Sequence, residues 1–249
     1  MIEITSVKNQ RVGFVKKLKD KSFRREQGLI IVEGENLIKD LPSSVCVECL
    51  FVEKDKLKDY EYIVTRYGED KLTIVDDKVM KALSETVTPS GILAVVKFER
   101  GEKKIDGNCV VLDGVSDPGN FGTIIRTCVA CGVKNILAVG CVDYTSGKVV
   151  RSSMGGIFKV NVVECDLSEA LNFVKDKQLL ALDMGGESIY NASVSNKEFA
   201  LAVGSESRGI SKEIKEAAKI IALPMSGEIE SLNAAVSLSV ALYKLVFGK

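Results

Sequence analysis

The chain has 249 residues, of which 46% are apolar and 27% charged, proportions typical of a globular protein that forms one large domain or two smaller ones. Its basic and acidic residues balance, so net charge does not predict a polyanionic partner, and no apolar run is long enough to cross a bilayer. Histidine is absent, which excludes Ser–His and Cys–His nucleophilic catalysis.

The charge is nevertheless uneven along the chain. Residues 1–30 carry eight Lys or Arg and three acidic residues, an excess of five positive charges. Such an arm binds phosphates by releasing counterions, although a solvated helix face explains the charges equally well. The candidate phosphate contacts in this arm are Lys16, Lys17, Arg24 and Arg25. The N-terminus lacks the basic and apolar regions of a signal peptide, so we expect a cytoplasmic protein.

Residues 1–100 alternate short apolar runs with helical patterns. The runs at 29–32 and 92–96 predict strands, and 36–40 and 77–83 predict helices, which together indicate a small α/β sandwich. The polar, glycine-flanked stretch 101–108 predicts a linker. We therefore expect domains at 1–100 and 109–249.

Two Cys-x-x-Cys spacings, at Cys46 and Cys49 and at Cys128 and Cys131, suggest metal or redox chemistry at first sight. The first pair lies in a predicted strand over 45–52, where residues three apart point to opposite faces. The second pair occupies apolar positions of a predicted helix. We expect buried, reduced thiols and no metal.

The second region repeats an apolar strand, a polar turn and a helix. Strands are predicted at 109–115, 135–139, 179–182, 199–203 and 219–223, and helices at 121–131, 167–177 and 211–219, the last capped by Ser211. Because the strands are apolar throughout, we expect a mainly parallel sheet covered by helices on both faces.

Polar, glycine-containing loops follow three of these strands, at 116–122, 204–209 and 226–233. Ligands of open parallel sheets bind beyond the carboxyl ends of the strands, so these loops predict one shared pocket. The dinucleotide fingerprint G-x-G-x-x-G and the P-loop pattern are both missing. A nicotinamide-dependent oxidoreductase using the same crevice is therefore the weaker alternative.

The last of these loops leads into an uncharged stretch from Ser231 to Tyr243 that is rich in Ala and Ser. Ser231 is the predicted N-cap of a helix whose first N–H groups either complete a ligand site or simply begin a core helix. Small residues in this stretch allow close approach of another backbone. The segment is interpreted as one wall of a cofactor pocket.

Three ordered motifs resemble those of the SpoU (TrmH-like) RNA 2′-O-ribose methyltransferases. They are Asp117-Pro-Gly-Asn-Phe-Gly-Thr-Ile-Ile-Arg-Thr127, Val203-Gly-Ser-Glu-Ser-Arg-Gly-Ile-Ser211, and Leu223-Pro-Met followed by Glu230-Ser-Leu-Asn233. The stretch Arg151 to Phe158 and residues 6–34 are also similar to that family. Ser205 and Ser207 depart from it, since Asn and Gly are common there, which leaves the substrate open.

The resemblance implies a parallel α/β domain with a C-terminal trefoil knot, preceded by an RNA-binding α/β sandwich, and a homodimer without membrane or metal. It also implies S-adenosylmethionine as cofactor. Arg126 then lies at the reacting hydroxyl, while Asn120, Glu206, Ser231 and Asn233 line the site. The implied cofactor contacts are Gly204, Ser205, Leu223, Met225, Leu232 and Ala235, and Arg151 joins the RNA contacts.

The resemblance implies methylation of a ribose 2′-hydroxyl in RNA, with large-subunit ribosomal RNA as the expected substrate. A tRNA ribose methyltransferase and a non-catalytic RNA-binding or ribosome-assembly protein are the alternatives. A guanidinium hardly ever loses its proton, so Arg126 is expected to stabilise developing alkoxide charge and grip a phosphate. Glu206 or an RNA phosphate then accepts the proton, unless Glu206 only pairs with Arg208.

Overall fold

The computed structural model describes residues 2–192, 198–228 and 231–248. The chain divides into two compact units, the first formed by Met1–Glu99 with Thr145–Phe158 and the second by Arg100–Tyr144 with Lys159–Lys249. Thr145–Phe158 therefore packs with the first unit, whereas the sequence pattern assigned it to the C-terminal domain. The domain limits 1–100, 101–108 and 109–249 stay a prediction.

The described residues form eleven strands and ten α-helices. In chain order these are β1 (Ile2–Ile4), α1 (Gln10–Lys17), α2 (Lys21–Gln27), β2 (Leu29–Glu33), α3 (Glu35–Lys39), β3 (Val47–Glu53), α4 (Glu61–Tyr67), β4 (Leu72–Val75), α5 (Asp77–Leu83), β5 (Ile92–Lys97), β6 (Cys109–Asp113), α6 (Pro118–Ala130), β7 (Asn135–Val139), α7 (Gly147–Ser152), β8 (Asn161–Cys165), α8 (Leu167–Val174), β9 (Gln178–Ser188), β10 (Phe199–Gly204), α9 (Lys212–Ala217), β11 (Lys219–Ala222) and α10 (Ala234–Phe247). None of these helices is long and apolar enough to cross a membrane.

The first unit is built on a five-stranded mixed sheet in the order β1-β4-β3-β5-β2. Strands β1, β4 and β3 are parallel, and β5 runs antiparallel to both β3 and β2. One core cluster places Val12 and Val15 of α1 and Met80 and Leu83 of α5 with the sheet residue Phe51. Sheet and helices thus form the small α/β sandwich that the sequence predicts.

The second unit contains a six-stranded sheet in the order β11-β9-β10-β6-β7-β8, in which every pairing is parallel. The prediction of a mainly parallel sheet is confirmed. The central strands β6, β7 and β10 are largely buried because they are nearly all apolar, and β10 is buried over its full length. The trefoil knot stays a prediction.

Several elements differ from the sequence prediction. Strands β1, β4 and β8 are additional, and β9 continues from the predicted end at residue 182 to Ser188. This extension pairs Glu187 and Ser188 with β11 after an irregularity in register. The short helix α7 is also additional, in the segment that joins the first unit.

The cysteines are free thiols, of which three are buried, three are half-buried and one is exposed. Cys46, which precedes β3, is the exposed thiol, so the prediction that it is buried is wrong. Burial raises the pKa of Cys49 to about 11 and that of Cys109 to about 12. Burial likewise raises the pKa of Cys128, which lies fully inside the protein on α6.

Candidate active site

Three side chains from the three polar loops meet in one hydrogen-bond network. Asn120 Nδ2 donates to Glu206 Oε1, and Asn233 Nδ2 donates to Asn120 Oδ1 at 2.9 Å and to Glu206 Oε1 at 3.2 Å. The loops after β6, β10 and β11 therefore converge, although β9 separates β10 from β11 in the sheet. This network defines the candidate active site.

The first loop positions Asn120 through the start of α6. Asp117 is the N-cap, and its Oδ1 accepts a hydrogen bond from the Asn120 backbone N–H at 2.7 Å. Pro118 occupies the first turn, where its missing N–H has no cost. The cap fixes the backbone of Asn120, so that its side chain reaches out of the helix start towards Glu206.

The second loop is a tight turn whose two ends are joined by a hydrogen bond. Gly204 ends β10, and a Cβ there would collide with the backbone of Gly209 and Ile210, so only glycine fits. The Gly209 N–H donates to the Ser205 carbonyl at 2.8 Å. Asp113 Oδ2, at the end of β6, accepts from the Ser211 N–H at 2.7 Å. The loop that carries Glu206 is thereby fastened to the neighbouring strand.

The third loop ends at Asn233, which caps α10. Its Oδ1 accepts hydrogen bonds from the Ala235 and Val236 N–H groups at 3.0 and 3.2 Å. The prediction that Ser231 caps this helix is wrong, because α10 begins at Ala234 and Ser231 lies two residues before the cap, exposed. The Asn233 side chain therefore caps α10 and also takes part in the candidate active site.

The cap also orients the amide of Asn233. Its oxygen must face the helix N–H groups, so its nitrogen points to Asn120 and Glu206 as a donor. Asn120 then accepts with its oxygen and donates with its nitrogen to Glu206. Each group in the network therefore has a defined direction, and Glu206 Oε1 receives two donors. Among the described residues, Oε2 of Glu206 has no hydrogen-bond partner.

Arg126 lies on α6, and its side chain is exposed. The next residue, Thr127, joins α6 to α10 because its Oγ1 lies 2.7 Å from Ser239 Oγ. Ser239 in turn donates to the Ala235 carbonyl at 2.7 Å. The helix that presents Arg126 is thus packed against the helix that Asn233 caps. No hydrogen bond in the described part of the chain joins Arg126 to the network.

The residues predicted to hold the cofactor flank this network. Gly204 and Ala235 are buried, Ser205, Leu223 and Met225 are half-buried, and Leu232 is exposed. Residues 223–228 form neither helix nor strand, so no ladder uses their backbone N–H and C=O groups. Half-buried apolar side chains beside unused backbone groups fit an adenosyl group, which needs an apolar surface and backbone hydrogen bonds.

Two of the predicted RNA contacts lie inside the first unit. Arg24 is 6% exposed, and its guanidinium donates to the Leu18 carbonyl at 2.7 Å and to Thr145 Oγ1 at 3.1 Å. Arg151 lies 3.4 Å from Glu33 Oε2. Both side chains contact protein groups, and Arg24 is buried. Their assignment as RNA contacts stays a prediction. Lys16, Lys17 and Arg25 are exposed.

Sequence reasoning missed the residues that fasten the loops. Asp113 lies at the end of a strand and Asp117 at the start of a helix, and each carboxylate accepts a hydrogen bond from a backbone N–H. Asp commonly has this role at helix starts. The sequence signal for Asp117 was available, since Asp followed by Pro is a typical helix start. Asp113 had no local signal, because its partner Ser211 is distant in the sequence.

Comparison with known proteins identifies the family. Residues 107–243 match the SpoU rRNA methylase family, and residues 9–94 match the MRM3-like substrate binding domain. The chain belongs to the SpoU rRNA methylase family. It is similar to the Bacillus subtilis 23S rRNA (guanosine(2553)-2′-O)-methyltransferase RlmP, with 31% identity covering 98% of this chain and 99% of that protein.

Two solved structures share the fold over nearly the whole chain. A crystal structure of an RNA 2′-O ribose methyltransferase is 28% identical, covers 98% of this chain and 97% of its own, and gives a TM-score of 0.81. The AdoMet-bound rRNA methyltransferase from Sinorhizobium meliloti is 24% identical over 97% of this chain and 96% of its own, with a TM-score of 0.84. The second likeness establishes the fold.

Proposed function

We propose that this protein transfers a methyl group from S-adenosylmethionine to a ribose 2′-hydroxyl of RNA. The observation that carries the proposal is the network of Asn120, Glu206 and Asn233, which joins the three motif loops of a SpoU family chain at one place. Family membership supports the cofactor, and the match of residues 9–94 to a substrate binding domain supports the RNA substrate.

The cofactor supplies a methyl group on a positively charged sulfur, which is already activated for transfer. Leu223, Met225 and Leu232 would contact it from the third loop, and Gly204 and Ser205 from the second. Ala235 would contact the cofactor through its small side chain, because its N–H already donates a hydrogen bond to Asn233. The protein must then orient the ribose hydroxyl and remove its proton.

Arg126 has the chemistry to assist the hydroxyl oxygen. Bound S-adenosylmethionine would supply the methyl group that this oxygen accepts, and the hydroxyl proton would pass to a nearby acceptor. A guanidinium stays charged, so Arg126 stabilises the developing negative charge and binds an adjacent phosphate. Glu206 is the proposed proton acceptor through Oε2, since Oε1 accepts from Asn120 and Asn233. Ser231 is the remaining polar group proposed to line the site.

The proposed substrate is large-subunit ribosomal RNA in the cytoplasm. Its support is the Bacillus subtilis relative, a 23S rRNA 2′-O-methyltransferase that aligns with nearly all of this chain. A tRNA substrate is less well supported, because the chain carries a full additional unit matched to a substrate binding domain. An exposed 2′-hydroxyl favours a loop or an unstacked nucleotide as the target.

We also propose that the protein is a homodimer through α10. This helix exposes Val236, Val240, Tyr243 and Phe247, which recur every three or four residues and therefore share one face. A continuous apolar face of this kind fits a second copy of the same surface. We propose that the knotted segment includes the third loop and α10.

The deciding experiment incubates the protein with methyl-labelled S-adenosylmethionine and ribosomal RNA, followed by mass spectrometry of the digested RNA. We expect one 2′-O-methylated nucleotide in large-subunit RNA. Label in tRNA alone would replace the ribosomal substrate by the tRNA alternative. Cofactor binding with no transfer to either RNA would favour the non-catalytic alternative.

Arg126→Ala tests the chemistry at the level of one residue. Because the side chain is exposed and caps no helix, its removal should leave the fold intact. We expect a loss of about 100-fold or more in kcat, with the S-adenosylmethionine Kd from calorimetry unchanged. Arg126→Lys, which keeps the charge but not the planar fork, should recover only part of the rate. Full activity of Arg126→Ala would refute the assignment.

A further inference from the structure

An exposed aromatic ring lies on the basic face of the first unit. Phe14 of α1 is 38% exposed, and its ring contacts that of Phe23 edge to face, with centroids 5.3 Å apart. Phe23 packs against the buried core of the unit. Phe14 is therefore fixed from behind by Phe23 while part of its ring meets solvent.

Two cations flank this ring on the helix that carries it. Arg11 and Lys17 stand three residues before and after Phe14, one helical turn away on the same face, and both are exposed. The Lys17 ammonium also lies 5.9 Å from the centroid of Phe23. Helix α1 contains no acidic residue. The nearby acid Asp20 is engaged by the Phe23 N–H and the Ser22 hydroxyl.

Not every cation of the arm belongs to this face. Lys19 donates to the carbonyls of Ala82 and Ser84 at 3.2 and 2.8 Å, and Arg24 is buried. The positive charge of residues 1–30 thus includes cations used within the fold, Lys19 and Arg24, and two exposed cations that flank Phe14, Arg11 and Lys17. A solvated helix face accounts for the exposed cations, and the part-exposed Phe14 ring between Arg11 and Lys17 adds an aromatic surface on which a base can stack.

We propose that Phe14 is a stacking platform for one unpaired base of the RNA substrate, with Arg11 and Lys17 binding the phosphates on either side. This inference rests on the proposed function, since it takes RNA as the substrate. Bases that are not paired present a π-face that stacks on aromatic side chains, and cations beside the ring hold the backbone. The combination favours single-stranded RNA over a duplex, whose bases are already stacked.

The first experiment uses the absence of tryptophan from the chain. Phe14→Trp introduces a single indole whose fluorescence reports base stacking directly. We expect a short single-stranded oligoadenylate to quench this emission, and the same strand paired with oligouridylate to quench it far less. Tyr62→Trp is the matched control, because Tyr62 is 48% exposed in the same unit but donates to Glu35. Its emission should not change.

The second experiment measures transfer to large-subunit RNA transcribed in vitro. Phe14→Ala should raise KM for RNA by about 5- to 100-fold while kcat and the melting temperature stay close to those of the unmodified protein. Phe14→Tyr, which keeps a π-face, should restore KM. Replacing Arg11 and Lys17 by Gln should flatten the salt dependence of oligoadenylate binding.

The outcomes separate the two proposals. If the unmodified protein methylates RNA and Phe14→Ala has the same KM, the stacking platform is refuted and the proposed function stands. If the unmodified protein transfers no methyl group, the proposed function fails, and the fluorescence titration still decides whether the face binds unpaired bases. Equal quenching of the Phe14→Trp and Tyr62→Trp variants, or no quenching of either, would overturn the inference even if Phe14→Ala does not fold.

Discussion

Asn233 performs two tasks with the two ends of one amide. Its oxygen caps α10 and its nitrogen donates to Asn120 and Glu206. Substitutions can separate these tasks, because an aspartate retains the capping oxygen but not the donor. The comparison shows whether the network or only the helix start is needed for methyl transfer.

We expect Asn233→Ala to lose both stability and activity. Removing the capping oxygen leaves two N–H groups without their partner and costs about 1 kcal/mol. Asn233→Asp should lose less stability than Asn233→Ala because it keeps the capping oxygen, but it should lower kcat, since it places a second carboxylate beside Glu206. Thermal unfolding and the methyl-transfer assay measure the two effects.

Ser231→Ala is the control for this comparison. Because Ser231 is exposed and does not cap α10, its replacement should change stability by less than about 0.5 kcal/mol. A stability loss equal to that of Asn233→Ala would mean that Ser231 helps to hold the helix start. Equal activity of Asn233→Asp and the unmodified protein would show that the donor is dispensable.

Thiol reactivity gives a second test at the residue scale. At pH 8, well below the raised pKa of about 11 for Cys49 and Cys165 and about 12 for Cys141, these groups remain protonated and unreactive. Cys46 is exposed. We expect a disulfide reagent to modify one thiol quickly in the folded protein and the rest only after denaturation. Cys46→Ser should remove the fast phase, and a second fast thiol would contradict the expectation.

Ion pairs connect the segment that contains α7 to the rest of the first unit. Arg151 lies 3.4 Å from Glu33 and 3.7 Å from Glu85. The Glu33 side chain is only 3% exposed, and it also accepts from Thr86 Oγ1 at 2.9 Å and from Ser84 Oγ. A buried carboxylate with these neutral donors still needs a cation nearby, which Arg151 provides.

Arg151→Ala should therefore destabilise the protein by about 2 to 3 kcal/mol. Removing Arg151 leaves the buried Glu33 carboxylate without its ion-pair partner. Glu33→Gln in the same chain should recover part of the loss, because the neutral amide needs no cation. Denaturant unfolding of the two single variants and the double variant measures this coupling.

Lys148→Ala provides the reference, since Lys148 is exposed on the same helix. Its effect on stability should be small. If Arg151→Ala instead keeps full stability but lowers RNA affinity, the RNA contact implied by the family resemblance is correct and the structural role is not.

At the scale of single helices and strands, the sequence predicted those elements whose ends are marked by local patterns. The helix at 77–83 and the strand at 135–139 have the predicted ends, because a capping Asp76 and an uninterrupted apolar run mark them. Strand β8 was missed since it is an edge strand with Asn161 and Glu164 among its five residues. Edge strands face solvent on one side and lose the apolar signal.

The partners of Arg24 and Arg151 could not be predicted in this way. Arg24 is buried and Arg151 is half-buried, and they contact Thr145 and Glu33, which are more than one hundred residues away in the chain. A local pattern cannot reveal such partners. The family resemblance did not help either, because it carried a role over to Arg151 without its contacts.

For the whole molecule, the meeting of the three loops was predictable and its geometry was not. Polar turns after apolar strands indicate a shared sheet edge. The position of β9 between β10 and β11 could not be predicted, because local sequence patterns do not determine the order of strands in a sheet. The hydrogen bonds of Asn233 nevertheless cross this distance and connect the third loop to the other two.

The apolar face of α10 leads to the prediction at the largest scale. Tyr243 and Phe247 are 49% and 59% exposed, and their rings lie 5.5 Å apart at one end of the face. We expect light scattering to give twice the chain mass of 27.0 kDa. Val240→Glu with Tyr243→Glu should yield a folded monomer, because burying two carboxylates without partners opposes association. Tyr190→Glu, at a 63% exposed aromatic position of the same unit, should remain dimeric. A monomeric unmodified protein, or a Val240→Glu, Tyr243→Glu variant that still dimerises, would show that α10 does not form the interface.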